Sequence, residues 1–501
     1  MTAATAGPCD PGIAHGVAES AASKAASHPT GTLAATILGS SLAFIDGSVV
    51  NVGLVAIERD LGASGASIGW LINAYLLPLG ALVLLGGVAG DRWGRKRVFL
   101  CGMALFTLAS LACALAPGFA WLLAARAVQG VGAAFMMPAS LALIGAAFRG
   151  EARGRAVGTW AAAGAIIGAL GPLAGGWLID TVGWRAIFVI NLPIGIAAAW
   201  LAWTCVDESR SGDPAPLDIG GALLATAGLA LLTIGLTVLA GQRGPGDAAA
   251  IASAASATSD ATLAIVALLA GLALLFGFVL LEARLGAKAM MPLALFGTKS
   301  FVGVTLLTLF LYAALGGLFV LLPYLLIESG GYSAAAAGAA LLPLPIAMGL
   351  GSRAAGRLAE RTGARLLLTI GPCIVAAGFA LLLRIGPGPI DYLSVVLPAL
   401  TVLACGLTLS VAPLTAAVMG AVDAAHVGSA SGVNNATARI AGLLATALLG
   451  LVLAGGSKGA PFVAGFHAAA VAGALLSLAA AASAWALVAD ARAGRRADAP
   501  T

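Results

Sequence analysis

Two ionisable residues stand inside apolar stretches long enough to cross a bilayer. Asp46 is the only ionisable residue of stretch 33–57, and Arg126 is the only one of stretch 119–146. Asp46 comes thirteen residues after Leu33, which places it about 20 Å along a helix at ~1.5 Å per residue. Arg126 comes seven residues after Phe119, roughly 10 Å in. A cation at such depth costs about 2.5–3.5 kcal/mol on insertion scales, so it needs a partner or a purpose. Burial raises a carboxyl pKa and a nearby cation lowers it. A carboxyl held between the two can take up and release a proton near neutral pH. A permanent structural ion pair is the alternative use of the same two residues. Gln129 and Gly130 fall on the helical face of Arg126, which argues for a specific inward role.

The elements that position these residues follow from composition. The chain has 501 residues, 60% hydrophobic and 9% charged, with mean hydropathy +1.02. These values belong to integral membrane proteins. The apolar runs are continuous, not the short alternating segments of a membrane barrel, so an all-α protein is expected. Spans are expected near 33–57, 68–90, 98–116, 119–146, 156–179, 185–206, 218–240, 261–282, 301–327, 334–357, 366–386, 393–420, 437–455 and 463–489. That makes fourteen, with both termini on one side. On this map 19 Lys and Arg flank the terminal side and 5 the opposite side, so both termini are expected in the cytoplasm. Residues 1–31 lack an apolar core and read as a disordered tail, not a signal peptide.

Other chemistries find little support. The six cysteines and four histidines are scattered without metal-ligand spacing. No G-x-x-x-x-G-K-[ST] loop occurs, which argues against an ATP-driven pump. The His, Asp and Ser clusters of an intramembrane hydrolase are missing, so no enzyme is expected. The basic residues lie at span ends, which suggests no nucleic-acid partner.

The chain repeats itself. "GVAGDRWGRKR" (87–97) and "GRLAERTGAR" (356–365) share Gly, acid, Arg and Gly at an offset of 269 residues, or eight spans. Two six-span halves separated by an extra pair give that offset. The expected division is 1–31 tail, 32–206 first bundle, 207–300 extra spans and linkers, 301–490 second bundle, and 491–501 tail. Repeated bundles around a central site are the plan of many secondary transporters.

These segments closely resemble the major facilitator superfamily, and within it the fourteen-span drug:proton antiporters, over about residues 33–490. Four stretches carry the resemblance. "GVAGDRWGRK" follows the superfamily loop pattern through Gly87, Asp91, Arg92, Gly94, Arg95 and Lys96, although Ala89 and Gly90 fill its Leu and Ala positions. Asp91 is expected to accept from exposed N–H groups at a helix end of the other half, so that the loop acts as a latch. "RAVQGVG" (126–132) matches R-x-x-Q-G-x-G. "GAIIGALGPLAGG" (164–176) matches the antiporter glycine signature. Gly164, Gly168, Gly171 and Gly175 form one bare stripe for close helix packing, with Pro172 and Gly176 beside it. "IDGSVVNVGLV" (45–55) keeps the Asp and Asn of the family's first span but ends in Val where relatives have Pro.

The resemblance implies proton-coupled export of drugs, antibiotics or a secondary metabolite across a bacterial cytoplasmic membrane by alternating access. Asp46 would carry the proton and Arg126 would tune it. No cofactor is implied beyond the coupling proton, no metal, and a monomer is expected. Trp70, Asn73, Tyr75, Gln129, Met137, Tyr312, Phe319, Tyr324, Glu328 and Asn434 are candidate substrate-lining residues, a wall suited to small amphipathic organic molecules. Proton-coupled uptake and a transport-incompetent sensor are the alternatives. The first is disfavoured by the glycine signature and the second by the short tails.

Overall fold

The apolar stretches become helices throughout a computed structural model that describes residues 27–63, 68–210, 218–239, 257–286, 289, 291–422, 427–447, 452 and 459–489. The first half contains α1 (Pro29–Leu61), α2 (Trp70–Trp93), α3 (Arg95–Ala114), α4 (Phe119–Ala147), α5 (Gly150–Thr181) and the broken pair α6 (Ala186–Val189) and α7 (Asn191–Cys205). An extra hairpin follows, α8 (Ile219–Leu239) and α9 (Ala257–Leu285). The second half contains α10 (Lys299–Glu328), the broken pair α11 (Ala334–Ala340) and α12 (Pro343–Thr362), then α13 (Ala364–Leu382). A π-helical turn, Tyr392–Val396, leads into α14 (Leu397–Gly420), followed by α15 (Val427–Ala447) and α16 (Gly459–Leu487).

Among the described residues, 12 helical segments are long and apolar enough to cross a membrane, and 13 if the bent α2 is included. The chain is therefore a multi-pass membrane protein. α2 bends by 53° between Val83 and Leu85, just before the Gly86–Gly87 pair. The thirteenth expected span, 437–455, is covered by α15 as far as Ala447; residues 448–451 and 453–458 lie outside the described set. Most of both expected tails lies outside it too, and α1 begins at Pro29, inside the stretch expected as tail. Proline there supplies a fixed φ where a helix start has no N–H partner to lose.

The halves share one packing scheme. In the first, α1 packs on α4, α5 and α7, α4 packs on α2 and α3, and α3 packs on α7. In the second, α10 packs on α14, α15 and α16, α14 packs on α12 and α13, and α13 packs on α16. These are the same six pairings. The turns agree: Gly94 and Gly363, separated by the repeat offset, both follow a helix end with positive φ, at 111° and 88°. A side chain there would be strained, so glycine is required at both sites.

The halves meet through α1 with α10, α2 with α15, and α5 with α11 and α12. One apolar core, containing Val49, Leu54 and Ile72, runs into Leu311, Leu318 and Val320 of the second half. The extra hairpin packs against α2 and α15, beside one seam. The bundle has two faces. Ala489 N donates to Ser300 Oγ, so the end of α16 sits beside the start of α10. Arg59 at the end of α1 meets Glu328 at the end of α10. The bundle thus begins and ends on one face, termed here the terminal face; the other is the far face.

Candidate functional site

Asp46 sits in mid-α1 and Arg126 in α4, and the structure brings them together. Arg126 Nη1 donates to Asp46 Oδ2 at 2.5 Å. The residues are 0% and 1% exposed. Gln129, one turn after Arg126 on the same face, bridges both: its Nε2 donates to Asp46 Oδ1 at 2.9 Å, and its Oε1 accepts from Arg126 Nη1 at 2.8 Å. Arg126 Nε donates to the Leu71 carbonyl at 3.3 Å. The Tyr75 ring centroid lies 4.4 Å from the guanidinium carbon, a cation–π distance. Each oxygen of the carboxylate therefore accepts a bond, and the cation is held on its edge and its face.

Moving two charges out of water is repaid only by close geometry and additional hydrogen bonds. Removing one partner of such a pair costs about 3–5 kcal/mol, because the other charge is left buried. A proton on Asp46 would remove its charge without removing the side chain, and Arg126 would keep Gln129, the Leu71 carbonyl and the Tyr75 ring as partners. The arrangement can thus store a proton-dependent switch.

The network continues behind the pair. Gln129 Nε2 also reaches Ser110 Oγ at 3.3 Å, and Asn191 Nδ2 donates to the same hydroxyl at 2.9 Å. Ser110 and Asn191 are both fully buried. Neither was singled out from the sequence. The available signal was Asn191 opening an apolar segment, a polar side chain that must find a partner there.

In front of the pair lies a cavity of about 140 Å³ between the halves. Asp46, Asn51, Tyr75 and Arg126 line it from the first half, and Gly316, Phe319 and Gly442 from the second. Of the candidate lining residues, Tyr75 and Phe319 are in its wall, and Gln129 is directly behind it. The others are placed elsewhere. Trp70 and Met137 belong to the apolar cores, where their size fills space between helices. Asn73 is buried in α2, and Tyr312 packs at the edge of the larger core. Asn434 Oδ1 accepts from Thr308 Oγ1 at 2.6 Å, joining α15 to α10. Tyr324 and Glu328 stand at the far face: the Tyr324 hydroxyl donates to Glu58 at 2.8 Å, and Arg59 Nη2 pairs with Glu328 at 2.6 Å. Arg439 is a further residue without an assigned role in the sequence reading. It lies on α15 within electrostatic range of Tyr75 and Tyr312, across from Gly80 of α2.

The glycine stripe finds its neighbour in α1. Gly164 and Gly168 face Phe44, Gly171 faces Ser48 and Gly175 faces Val49. The partner is therefore the helix that carries Asp46. Gly176 lies on the backbone of Ala334 in α11, and Pro172 meets Gly338 of the same helix. Thus α5 is wedged between α1 and the second half.

The latch loop differs from its expected pairing. Asp91 Oδ1 accepts from Arg95 Nη2 at 2.7 Å within the loop, not from a helix end of the other half. Arg95 follows Asp91 by four residues, so its fork reaches the carboxylate without a second element. The loop is tied instead to the chain after α7: Lys96 N and Arg97 N donate to Glu208 at 3.0 and 3.3 Å, and Arg95 N donates to Ser209 O at 3.0 Å. Glu208 packs against Gly94, where a side chain would collide with it. The pairing expected of Asp91 occurs at the opposite face: Asp180 at the end of α5 accepts from Ala334 N at 3.1 Å and Ala335 N at 2.9 Å, at the start of α11.

Comparison with known proteins agrees with this architecture. The description of the Major Facilitator Superfamily matches residues 36–446, and the chain belongs to that superfamily. It is 34% identical over 424 residues to the multidrug resistance protein Stp of Mycobacterium tuberculosis, covering 84% of this chain and 75% of Stp. It is equally identical, at 34% over 424 residues, to the cephamycin export protein CmcT of Amycolatopsis lactamdurans, covering 84% of both chains. Among solved structures, a bacterial homologue of the human lysosomal transporter Spinster, inward-facing and unoccupied, is similar with TM-score 0.62 and 17% identity, over 92% of this chain and 97% of that one. That likeness concerns the fold.

Proposed function

We propose that the chain exports small amphipathic organic molecules, drugs or antibiotics among them, in exchange for protons. It works in a bacterial plasma membrane with both termini in the cytoplasm, as a monomer and without a cofactor. One observation carries the reading: the buried Asp46–Arg126–Gln129 network opens onto a cavity built from both halves. Relatives named for multidrug resistance and for antibiotic export support the direction and the substrate class.

Asp46 takes a proton from the outside while the cavity faces out, and its bond to Arg126 weakens. The protonated carboxyl is neutral, so the charge attraction tying α1 to α4 is lost, while Arg126 keeps Gln129 and the Leu71 carbonyl as hydrogen-bond partners. On the inner side the proton leaves, and the ion pair re-forms as substrate enters the cavity. In the conformer described here the far face is the closed one, because the identified polar ties between the halves gather there. The loops at 92–97 and 353–365 carry the basic residues that positive-inside orientation places in the cytoplasm.

Drug accumulation in cells lacking their own pumps tests this reading. Expression should lower accumulation of an amphipathic dye, and an uncoupler should abolish the difference. Unchanged dye levels across a panel of cationic, neutral and anionic dyes would contradict it. Orientation has a separate check: Trp93→Cys should resist an impermeant thiol reagent in whole cells and react after permeabilisation.

A further inference from the structure

A second cavity, of about 560 Å³, lies at the terminal face and far from Asp46 in the chain's topology. Three guanidinium side chains line it: Arg92 from the end of α2, Arg97 from the start of α3, and Arg210 beyond α7. Trp93 shares the rim, and Val98, Cys101 and Phe135 complete the wall. The polarity is graded. Cys101 is six residues past Arg95, about 9 Å along α3 at ~1.5 Å per residue. Charge therefore stands at the helix ends and apolar surface stands below it.

The nearby acids do not cancel this charge. Glu208 accepts from Lys96 N, Arg97 N and Ser209 N, and stands 3.7 Å from Arg97 Nε. Asp91 is engaged by Arg95, and Asp207 by Ser27. Lys96 Nζ donates to the Trp203 carbonyl. Of the three arginines, Arg97 is thus shown paired with a carboxylate, at a long 3.7 Å, and that carboxylate already accepts from backbone donors. The Arg97 side chain remains 70% exposed, available to a ligand.

We infer that this cavity binds an anionic phospholipid, with the phosphate among Arg92, Arg97 and Arg210 and an acyl chain against Val98, Cys101 and Phe135. Guanidinium groups suit phosphate oxygens because their planar forks donate two bonds at once. A tryptophan at the rim suits the headgroup level of a bilayer. Free phosphate would satisfy the arginines and leave the apolar floor uncovered, so a lipid fits the graded wall better. Because Arg92 and Trp93 end α2 and Arg97 lies in the first turn of α3, a bound lipid would hold the turn at Gly94 in the arrangement described here.

The test is native mass spectrometry of the full-length protein in detergent, titrated with phosphatidylglycerol or phosphatidylcholine. Wild type should retain a phosphatidylglycerol adduct in preference to phosphatidylcholine. Arg97→Gln with Arg210→Gln should bind phosphatidylglycerol roughly tenfold or more weakly, with phosphatidylcholine adducts unchanged. Cys101→Phe, which fills the apolar floor and keeps every charge, should also weaken the adduct. Inorganic phosphate at equal concentration should not displace the lipid. Equal phosphatidylglycerol binding by wild type and both variants would overturn the proposal. Full displacement by inorganic phosphate would overturn it as well, in favour of a free-anion site.

Discussion

The far face joins one half of the bundle to the other, whereas the loop at the terminal face is joined to its own half. At the far face Arg59 pairs with Glu328, Tyr324 donates to Glu58, and Asp180 caps the start of α11. At the terminal face Asp91 turns to Arg95, and Glu208 holds the backbone of Lys96 and Arg97. Arg59 and Glu328 are 269 residues apart, the offset of the repeat itself. They occupy equivalent positions in the two halves and meet across the axis that relates them. The contrast teaches that similar chemistry, a carboxylate against helix-start N–H groups, can serve either face. Which face is joined defines the conformer. Alternating access then amounts to exchanging the far-face ties for terminal-face ties, with the Asp46 pair between them.

The largest break in this comparison should come from Gly171→Leu. The added side chain must enter the space of Ser48, so α5 and α1 are forced apart two residues from Asp46. Overpacking costs typically about 1–3 kcal/mol. Falling on one conformer alone, that shifts a two-state balance by roughly 5- to 150-fold. Transport should fall by about that factor while the protein still inserts, measured as efflux per copy of membrane-inserted protein. Wild-type efflux from this variant would show that the α1–α5 seam does not move.

A moderate effect is expected from Arg59→Ala. The arginine is 63% exposed and its partner Glu328 only 5%, so solvent screening limits the pair to about 0.2–1 kcal/mol. Its loss should raise the far-open population by roughly 1.4- to fivefold. Thiol labelling of a cysteine placed at Val50, in the cavity wall, should accelerate from outside by that factor. An unchanged rate would mean that the far-face pair does not gate. Asp91→Asn should matter less for this conformer, because an i,i+4 pair of partly exposed groups contributes about 0.3–0.5 kcal/mol. Thermal stability should stay within that margin of wild type; a larger loss would show that Asp91 holds more here than Arg95.

The smallest effect concerns acid. The Ser27 N–H and hydroxyl, with the N–H first, hold the Asp207 carboxyl below its ordinary value of 3.8. A depressed carboxylate pKa adds stability above the unfolded-state value and loses it as pH falls through the folded-state value. The tie between the start of α1 and the end of α7 should therefore hold at pH 5 and release only below about pH 4. Hydrogen exchange at residues 27–32 reports it, and Asp207→Asn should remove the pH dependence.

Much of this was legible in the sequence, for physical reasons. A lone carboxylate and a lone guanidinium in apolar spans must find partners, so the Asp46–Arg126 pair could be anticipated from two residues. Gln129 followed from helical spacing to Arg126, and the glycine stripe from its period. The remainder depended on distance across the fold. Nothing local shows that the stripe receives α1, or that Tyr324 and Glu328 stand at a helix end beyond the central cavity. A large tryptophan or methionine in an apolar span looks the same whether it lines a cavity or fills a core, so Trp70 and Met137 are candidates for either place from sequence alone. Asp91 illustrates the same limit: its motif announces an acid that pairs, while the conformer decides with whom.

The central claim is that Asp46 carries the coupling proton. Substrate-induced proton release from purified protein in detergent, at weak buffering, tests it most directly by comparing wild type with Asp46→Asn. The amide keeps the size of the side chain and a hydrogen bond to Arg126 but cannot titrate. Wild type should release protons when substrate is added, and Asp46→Asn should release none while still binding substrate. Equal release from the two proteins would contradict the account and move the coupling site to Glu328.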